Sequence, residues 1–180
     1  MKKLHLSVLI VTLLLLGGLV GYALVKNRYL PVARVEGALL WFKTVEENAV
    51  AAGRLQESGL AAVQVESDEA ELFKKAFESL IINTAVKSRA SSNARGEAEK
   101  TVSDYLVAAE GDLTASVKAV YGWDMETFKK RVLEPAALEE ALLKEHGEKY
   151  KEWFGNVRES AKVNIWFLPF EWVDGELKGK

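Results

Sequence analysis

From Leu4 to Val25 the sequence is apolar, apart from His5, Ser7 and Thr12 near its start and Gly17, Gly18 and Gly21 within it. A folded domain in water cannot leave such a run exposed. As a helix rising 1.5 Å per residue, about 20 residues cross a hydrocarbon layer of roughly 30 Å, so the run is long enough to span. Lys2 and Lys3 flank it on one side and Lys26 and Arg28 on the other. A cleavable signal peptide is the competing reading, with Leu6 to Leu16 as its apolar region and Gly21-Tyr22-Ala23 as its small-x-small site. Against cleavage, the run continues through Leu24 and Val25 to Lys26, which suits an uncleaved anchor. The basic flanks are nearly balanced, so they do not fix the orientation. The larger part of the chain follows the run, and we expect it outside the cytoplasm.

The formal net charge of −2 is a sum over unlike parts. Lys2, Lys3, Lys26 and Arg28 give the first 28 residues +4 without an acid, which leaves 20 basic and 26 acidic residues, or −6, for the rest. An acidic domain argues against nucleic acid, whose binders carry a basic stripe; Lys87-Ser88-Arg89 with Arg95 is too short to make one. The chain has no cysteine. Disulfide staples, thiolate zinc sites and cysteine nucleophiles are thereby excluded, and an exported domain gains freedom from unwanted disulfides.

Beyond the apolar run, about 150 residues make one ordinary domain. Phe42, Val45, Ala49, Ala52 and Leu55 recur at three and four, the spacing of one helix face. Asp68 with Glu71 resembles a capping box, opening a long helix with Phe73, Phe77, Leu80, Ile81 and Thr84 on one stripe. A third helix is expected from Gly96 to Glu110 and a short fourth over Thr114 to Tyr121, stopped by Gly122. Asp124 caps a fifth, in which Pro135 should produce a kink, and a sixth carries Tyr150, Trp153, Phe154 and Val157. His146 before Gly147 sits at a helix end, where a cation favours the dipole.

Two segments have strand character. Pro31 to Val35 stops at Glu36-Gly37, a turn signal. Val163, Ile165 and Phe167 alternate with Asn164, Trp166 and Leu168 up to Pro169. An isolated strand leaves its backbone groups unsatisfied, so the two are expected to pair. The expected architecture is therefore mainly α: a transmembrane helix with basic flanks over 1–28, an irregular domain of about six helices over 29–174 closed by this two-stranded pairing, and a tail over 175–180.

Several segments carry a resemblance. Val32-Ala33-Arg34-Val35-Glu36-Gly37 with Leu39-Leu40 is similar to the first strand and turn of SurA-type N-terminal chaperone domains, in which a valine-asparagine-glycine turn leads into the first helix. Phe77-Glu78-Ser79-Leu80-Ile81-Ile82-Asn83 resembles their long central helix. Tyr121-Gly122-Trp123-Asp124-Met125-Glu126-Thr127-Phe128, continuing to Val132-Leu133-Glu134-Pro135, resembles their tyrosine-glycine-tryptophan pattern. Ala161-Lys162-Val163-Asn164-Ile165 looks like the strand that leads into a parvulin prolyl isomerase domain. The resemblance covers roughly residues 31 to 172. It implies a chaperone-like domain that binds unfolded or newly exported polypeptides. Glu36 departs from it by replacing the turn asparagine. The parvulin site needs paired histidines, whereas His5 lies in the apolar run and His146 stands alone, so isomerase activity is not expected.

No phosphate loop, G-x-S-x-G elbow or H-E-x-x-H motif is present, and Glu139, Glu140 and Glu145 have the spacing of a solvated helix face. No catalytic residue, cofactor or metal is expected. Five tryptophans are the more telling group. Large aromatics usually pack a small core, but a polypeptide-binding domain would present some of them along an open groove. The candidate polypeptide-binding residues are Trp41, Phe42, Trp123, Trp166, Phe170 and Trp172. Membrane attachment through residues 4–25 and an envelope protein partner complete the expectation. Its alternative is a non-catalytic interaction or scaffold module in a cell-envelope complex.

Overall fold

A computed structural model describes residues 28–59, 68–109 and 113–180. Strand β1 (Pro31–Val35) turns at Glu36-Gly37 into β2 (Ala38–Trp41), and the chain passes directly into helix α1 (Phe42–Glu57). Glu36 at φ 48° and Gly37 at φ 91° are both left-handed, as the tightest hairpin turns require. Then come α2 (Glu69–Arg89), α3 (Ser92–Ala108), α4 (Leu113–Tyr121), α5 (Met125–Phe128), a π-helical turn (Lys129–Leu133), α6 (Glu134–His146), a 3₁₀ turn (Gly147–Lys149) and α7 (Tyr150–Glu159). Strands β3 (Val163–Ile165), β4 (Phe170–Val173) and β5 (Glu176–Gly179) end the chain.

Side-chain caps set the helix starts. Asp68 accepts from the Glu71 amide at 2.7 Å, Ser91 from the Ala94 amide at 3.0 Å and Asp124 from the Thr127 amide at 2.7 Å, each satisfying a donor the first turn leaves open. Ser91 thus opens α3 immediately after α2 ends. Gly147 at φ 54° stops α6, and the His146 ring stacks on Trp153 with centroids 4.6 Å apart.

Central in the fold is α2, which packs on α1, α7 and the strands, while α3 packs along α6. Phe77 and Ile81 of α2 are fully buried together with Val35, Val45 and Leu142. Burying a side chain as large as Phe77 contributes about 1.5–3 kcal/mol. Phe42, Phe73, Phe77 and Phe170 form a chain of rings with successive centroids 5.4, 6.4 and 6.4 Å apart, linking α1, α2 and β4 through the core.

The expected architecture needs correction. Among the described residues there are two sheets, not one two-stranded pairing: a three-stranded antiparallel sheet in the order β2-β1-β3 and a separate β4-β5 hairpin. The reason is that β1 has two edges. Ala33, Arg34 and Val35 pair with Ile165, Asn164 and Val163 on one side, and the opposite edge is satisfied by Ala38–Trp41, a short segment that runs straight into α1. The pairing of β1 with β3 continues one step further, the Val32 carbonyl accepting from the Trp166 amide at 2.8 Å, while the pairing with β2 is irregular between Pro31 and Ala33. The interval 175–180, expected as a tail, is the turn and second strand of the terminal hairpin, with Leu177 buried. Among the described residues no helix is long and apolar enough to cross a membrane; the run over 4–25, expected to do so, lies outside them.

Two side-chain clusters tie these sheets to the helices. Arg89 at the end of α2 donates to Glu36 Oε1 from Nη2 at 2.6 Å and from Nε at 3.2 Å, and to Ser160 Oγ and O at 2.6 and 2.7 Å. Glu36 also accepts from the Lys162 amide at 3.2 Å, so one carboxylate joins the first hairpin to the start of β3. Glutamate replaces the expected turn asparagine here, and the guanidinium that holds it offsets its αL backbone. At the second hairpin, Arg158 donates to the Gly175 carbonyl at 2.8 and 3.1 Å and to Glu78 at 3.3 Å, and Trp172 Nε1 donates to the Arg158 carbonyl at 3.2 Å. Gly175, at φ 79°, approaches so closely that a Cβ there would lie 3.1 Å from Arg158 Cβ.

Candidate functional site

Pro135 shapes the site. A proline lacks the amide that would bond four residues back, and its ring collides with that carbonyl. The helix widens just before it: residues 129–133 form a π turn, in which the Glu134 amide bonds the Lys129 carbonyl five residues back. Such turns concentrate at functional sites. The one-residue offset presents Arg131 toward α1, where it donates to Glu47 Oε2 at 2.6 Å and to Asn48 Oδ1 at 3.1 Å. The same guanidinium lies 5.1 Å from the Trp123 ring centroid, and Trp123 stacks on Tyr121 at 5.4 Å. The helix, expected to kink at Pro135, takes in an extra residue there.

Arg131 stands where two cavities meet. One, of about 580 Å³, is a groove between α1, α2, α3, α6, the π turn and the first hairpin. Apolar side chains supply Val35, Leu80, Val86, Ala98, Pro135 and Leu138, and polar ones supply Asn48, Asn83, Thr84 and Ser88. Its charged groups are mostly spent on the protein itself: Lys87 pairs with Glu134 at 3.1 Å, Lys130 with Glu126 at 3.0 Å, Arg131 with Glu47 and Glu36 with Arg89. Arg95 donates to the Ala90 carbonyl at 2.8 and 3.2 Å. The Glu36 carboxyl lies below the usual value: burial acts to raise it, but the Arg89 hydrogen bonds, the Lys162 amide and both neighbouring cations outweigh that.

The second cavity, about 530 Å³, lies at the start of α1 and is lined by Tyr29, Trp41, Lys43, Thr44, Glu47 and Arg131. Lys43 Nζ sits 3.0 Å from the Tyr29 hydroxyl and 4.7 Å from its ring centroid. That hydrogen bond and the electrostatic attraction of Tyr29, with a smaller contribution from Glu47, raise the Lys43 pKa.

The six aromatic candidates do not converge. Trp41, 39% exposed, borders the second cavity, and Trp123 backs Arg131 beside it. Phe42, Phe170 and Trp172 are half-buried against the core. Trp166 is half-buried, and its amide extends the pairing of β3 with β1. Phe167, expected to continue the strand, is instead 86% exposed at φ 58°, because pairing with β1 stops after the Trp166 amide and the chain bends before β4. The groove residues Asn48, Asn83, Thr84 and Arg131 escaped the sequence reading, which followed aromatics. On α2 the signal was Ser79, Asn83, Lys87 and Ser88, polar residues at helical spacing beside the apolar stripe that ends in Thr84; Asn48 and Arg131 carried none.

Among the described residues no group of three or more His, Asp or Glu side chains could hold a metal ion. Comparison with protein-family models, with curated proteins and with solved structures returned no match.

Proposed function

We propose that this domain binds non-native or newly exported polypeptides, as a chaperone-like module without chemistry of its own. The observation that carries the reading is the groove of about 580 Å³ beside the π turn, with apolar side chains, polar groups and charges largely compensated within the protein. Such a surface takes chains weakly and without demanding a particular charge. Resemblance of the strand, central helix and Tyr121-Gly122-Trp123 segment to SurA-type N-terminal chaperone domains supports the same reading. The −6 charge beyond residue 28 would keep a loaded complex soluble. An extracytoplasmic setting belongs to the proposal and rests on the apolar amino-terminal run and the absence of cysteine.

The test is suppression of aggregation of a chemically denatured client by the full-length chain, compared with Ser79→Trp. Ser79 is exposed on α2 at the groove, so an indole there obstructs the groove while the core stays intact. Suppression by the parent and its loss in the variant support the reading; no suppression at several-fold excess overturns it. A second reading, a scaffold that holds one folded partner, is favoured by the exposed Phe167. It requires one stoichiometric partner whose binding is lost in Phe167→Ser and kept in Ser79→Trp.

A further inference from the structure

The proposed client site contains more than apolar surface. Arg131 donates to Asn48 Oδ1, and since a guanidinium has no acceptor, the Asn48 amide is oriented with its oxygen toward Arg131 and its NH₂ away. On α2, Asn83 Nδ2 reaches Ser79 Oγ at 3.5 Å, which leaves the Asn83 carbonyl oxygen as an acceptor. Neither the Asn48 NH₂ nor the Asn83 oxygen has a partner among the described residues. Both side chains line the same groove. Its charged groups, in contrast, are mostly taken: Lys87 by Glu134, Arg131 by Glu47 and Glu36 by Arg89.

We propose that the groove reads the backbone of an extended polypeptide, with the Asn48 NH₂ donating to a peptide carbonyl and the Asn83 oxygen accepting from a peptide N–H. This deepens the polypeptide-binding reading and rests on it. A peptide unit offers one donor and one acceptor whatever its side chain, so the Asn48 NH₂, fixed by Arg131, and the Asn83 oxygen together match any extended segment. A helical segment offers neither group, because its backbone is bonded internally. The occupant is therefore an unfolded stretch whose side chains contribute through the apolar surface and whose sequence is weakly constrained. Selectivity for non-native chains follows directly: folded proteins have already paired the groups the groove would read.

The experiment measures binding of the full-length chain to two fluorescein-labelled unstructured peptides of one apolar sequence, the second carrying N-methyl groups on alternate backbone amides. Fluorescence anisotropy reads both. N-methylation is expected to weaken binding about tenfold, the effect of losing about one well-made hydrogen bond. Asn83→Leu, close to isosteric, should weaken the unmodified peptide by a similar factor and abolish the difference between the peptides. Asn83→Asp keeps an acceptor and should retain binding, which separates loss of recognition from loss of folding. Equal affinity for both peptides, or unchanged binding by Asn83→Leu, overturns backbone recognition while leaving polypeptide binding standing. Failure to bind either peptide, together with no protection of a denatured client, overturns the functional reading itself.

Discussion

Replacing Arg89 with methionine should destabilise the domain by about 2 kcal/mol at neutral pH. Arg89 makes four hydrogen bonds, two to Glu36 and two to Ser160, and the paired side chains are 29% and 14% exposed. Methionine keeps most of the stem's packing but leaves a mostly buried carboxylate with the Lys162 amide as its remaining partner. Hydrogen bonds to charged groups contribute about 1.5–3 kcal/mol, and breaking a fully buried pair costs about 3–5; water reaches this pair, so the cost falls toward the lower figure. The assay is urea unfolding of the full-length chain, with the midpoint moving and the slope unchanged. In Glu36→Gln the orphaned charge is absent, so adding Arg89→Met to it should cost less than Arg89→Met alone.

The same variant carries a pH signature. Glu36 titrates below its ordinary 4.5 in the folded protein. A carboxyl whose folded value is depressed adds stability that is complete above the unfolded value and is lost as pH falls through the folded one. The penalty of Arg89→Met should therefore be complete at neutral pH and shrink as pH falls toward the folded value. A penalty that persists undiminished at pH well below the folded value, or a neutral-pH penalty near zero, would refute the account of Glu36 and Arg89 as the clasp between the first hairpin and β3.

Other outcomes follow from single contacts. Asp124→Ala removes the cap on the Thr127 amide and should cost about 0.5–2 kcal/mol in the same unfolding assay; the Asp124 carboxyl is lowered first by that amide, so this cost too should fade in acid. Gly175→Ala combines a left-handed backbone with a Cβ at 3.1 Å from Arg158 Cβ and should cost about 1–3 kcal/mol, seen with a shift in fluorescence as Trp172 loses its seat against α7. Phe77→Ala should cost about 3–5 kcal/mol, whereas Phe167→Ser, 86% exposed, should stay within about 0.5. Pro135→Ala permits an ordinary α turn; Arg131 should then withdraw from Glu47 and Trp123, which tryptophan fluorescence and weaker client binding would report.

Helical periodicity and caps were legible because they are local. The stripes beginning at Phe42 and Phe73 and the caps at Asp68 and Asp124 need only neighbours in sequence. Contact of β1 with β3 was also readable, from two β signals that each needed a partner. The sheets as built were not. Ala38–Trp41 is a short run that merges into α1, and its strand character comes from an edge of β1 that only the fold supplies. The terminal hairpin did announce itself through Asp174-Gly175 between Phe170–Val173 and Glu176–Gly179, a two-residue turn signal obscured by its position at the end of the chain. The site was the least legible part. Aromatic residues drew attention, yet Phe42 and Phe170 serve the core, while the groove depends on a π turn whose cause, Pro135, was visible and whose consequence for Arg131 was not. Residues from α1, α2, α3 and α6 meet there only after the helices pack.

The absence of cysteine permits the most direct test of the groove as the client site. A cysteine is placed at Ser79 in the groove or at the exposed Glu171 of β4, coupled to a photocrosslinker, and irradiated with a denatured client bound to the full-length chain. The account predicts strong crosslinking from position 79 and background from position 171. Equal crosslinking from both, or a preference for 171, would contradict it.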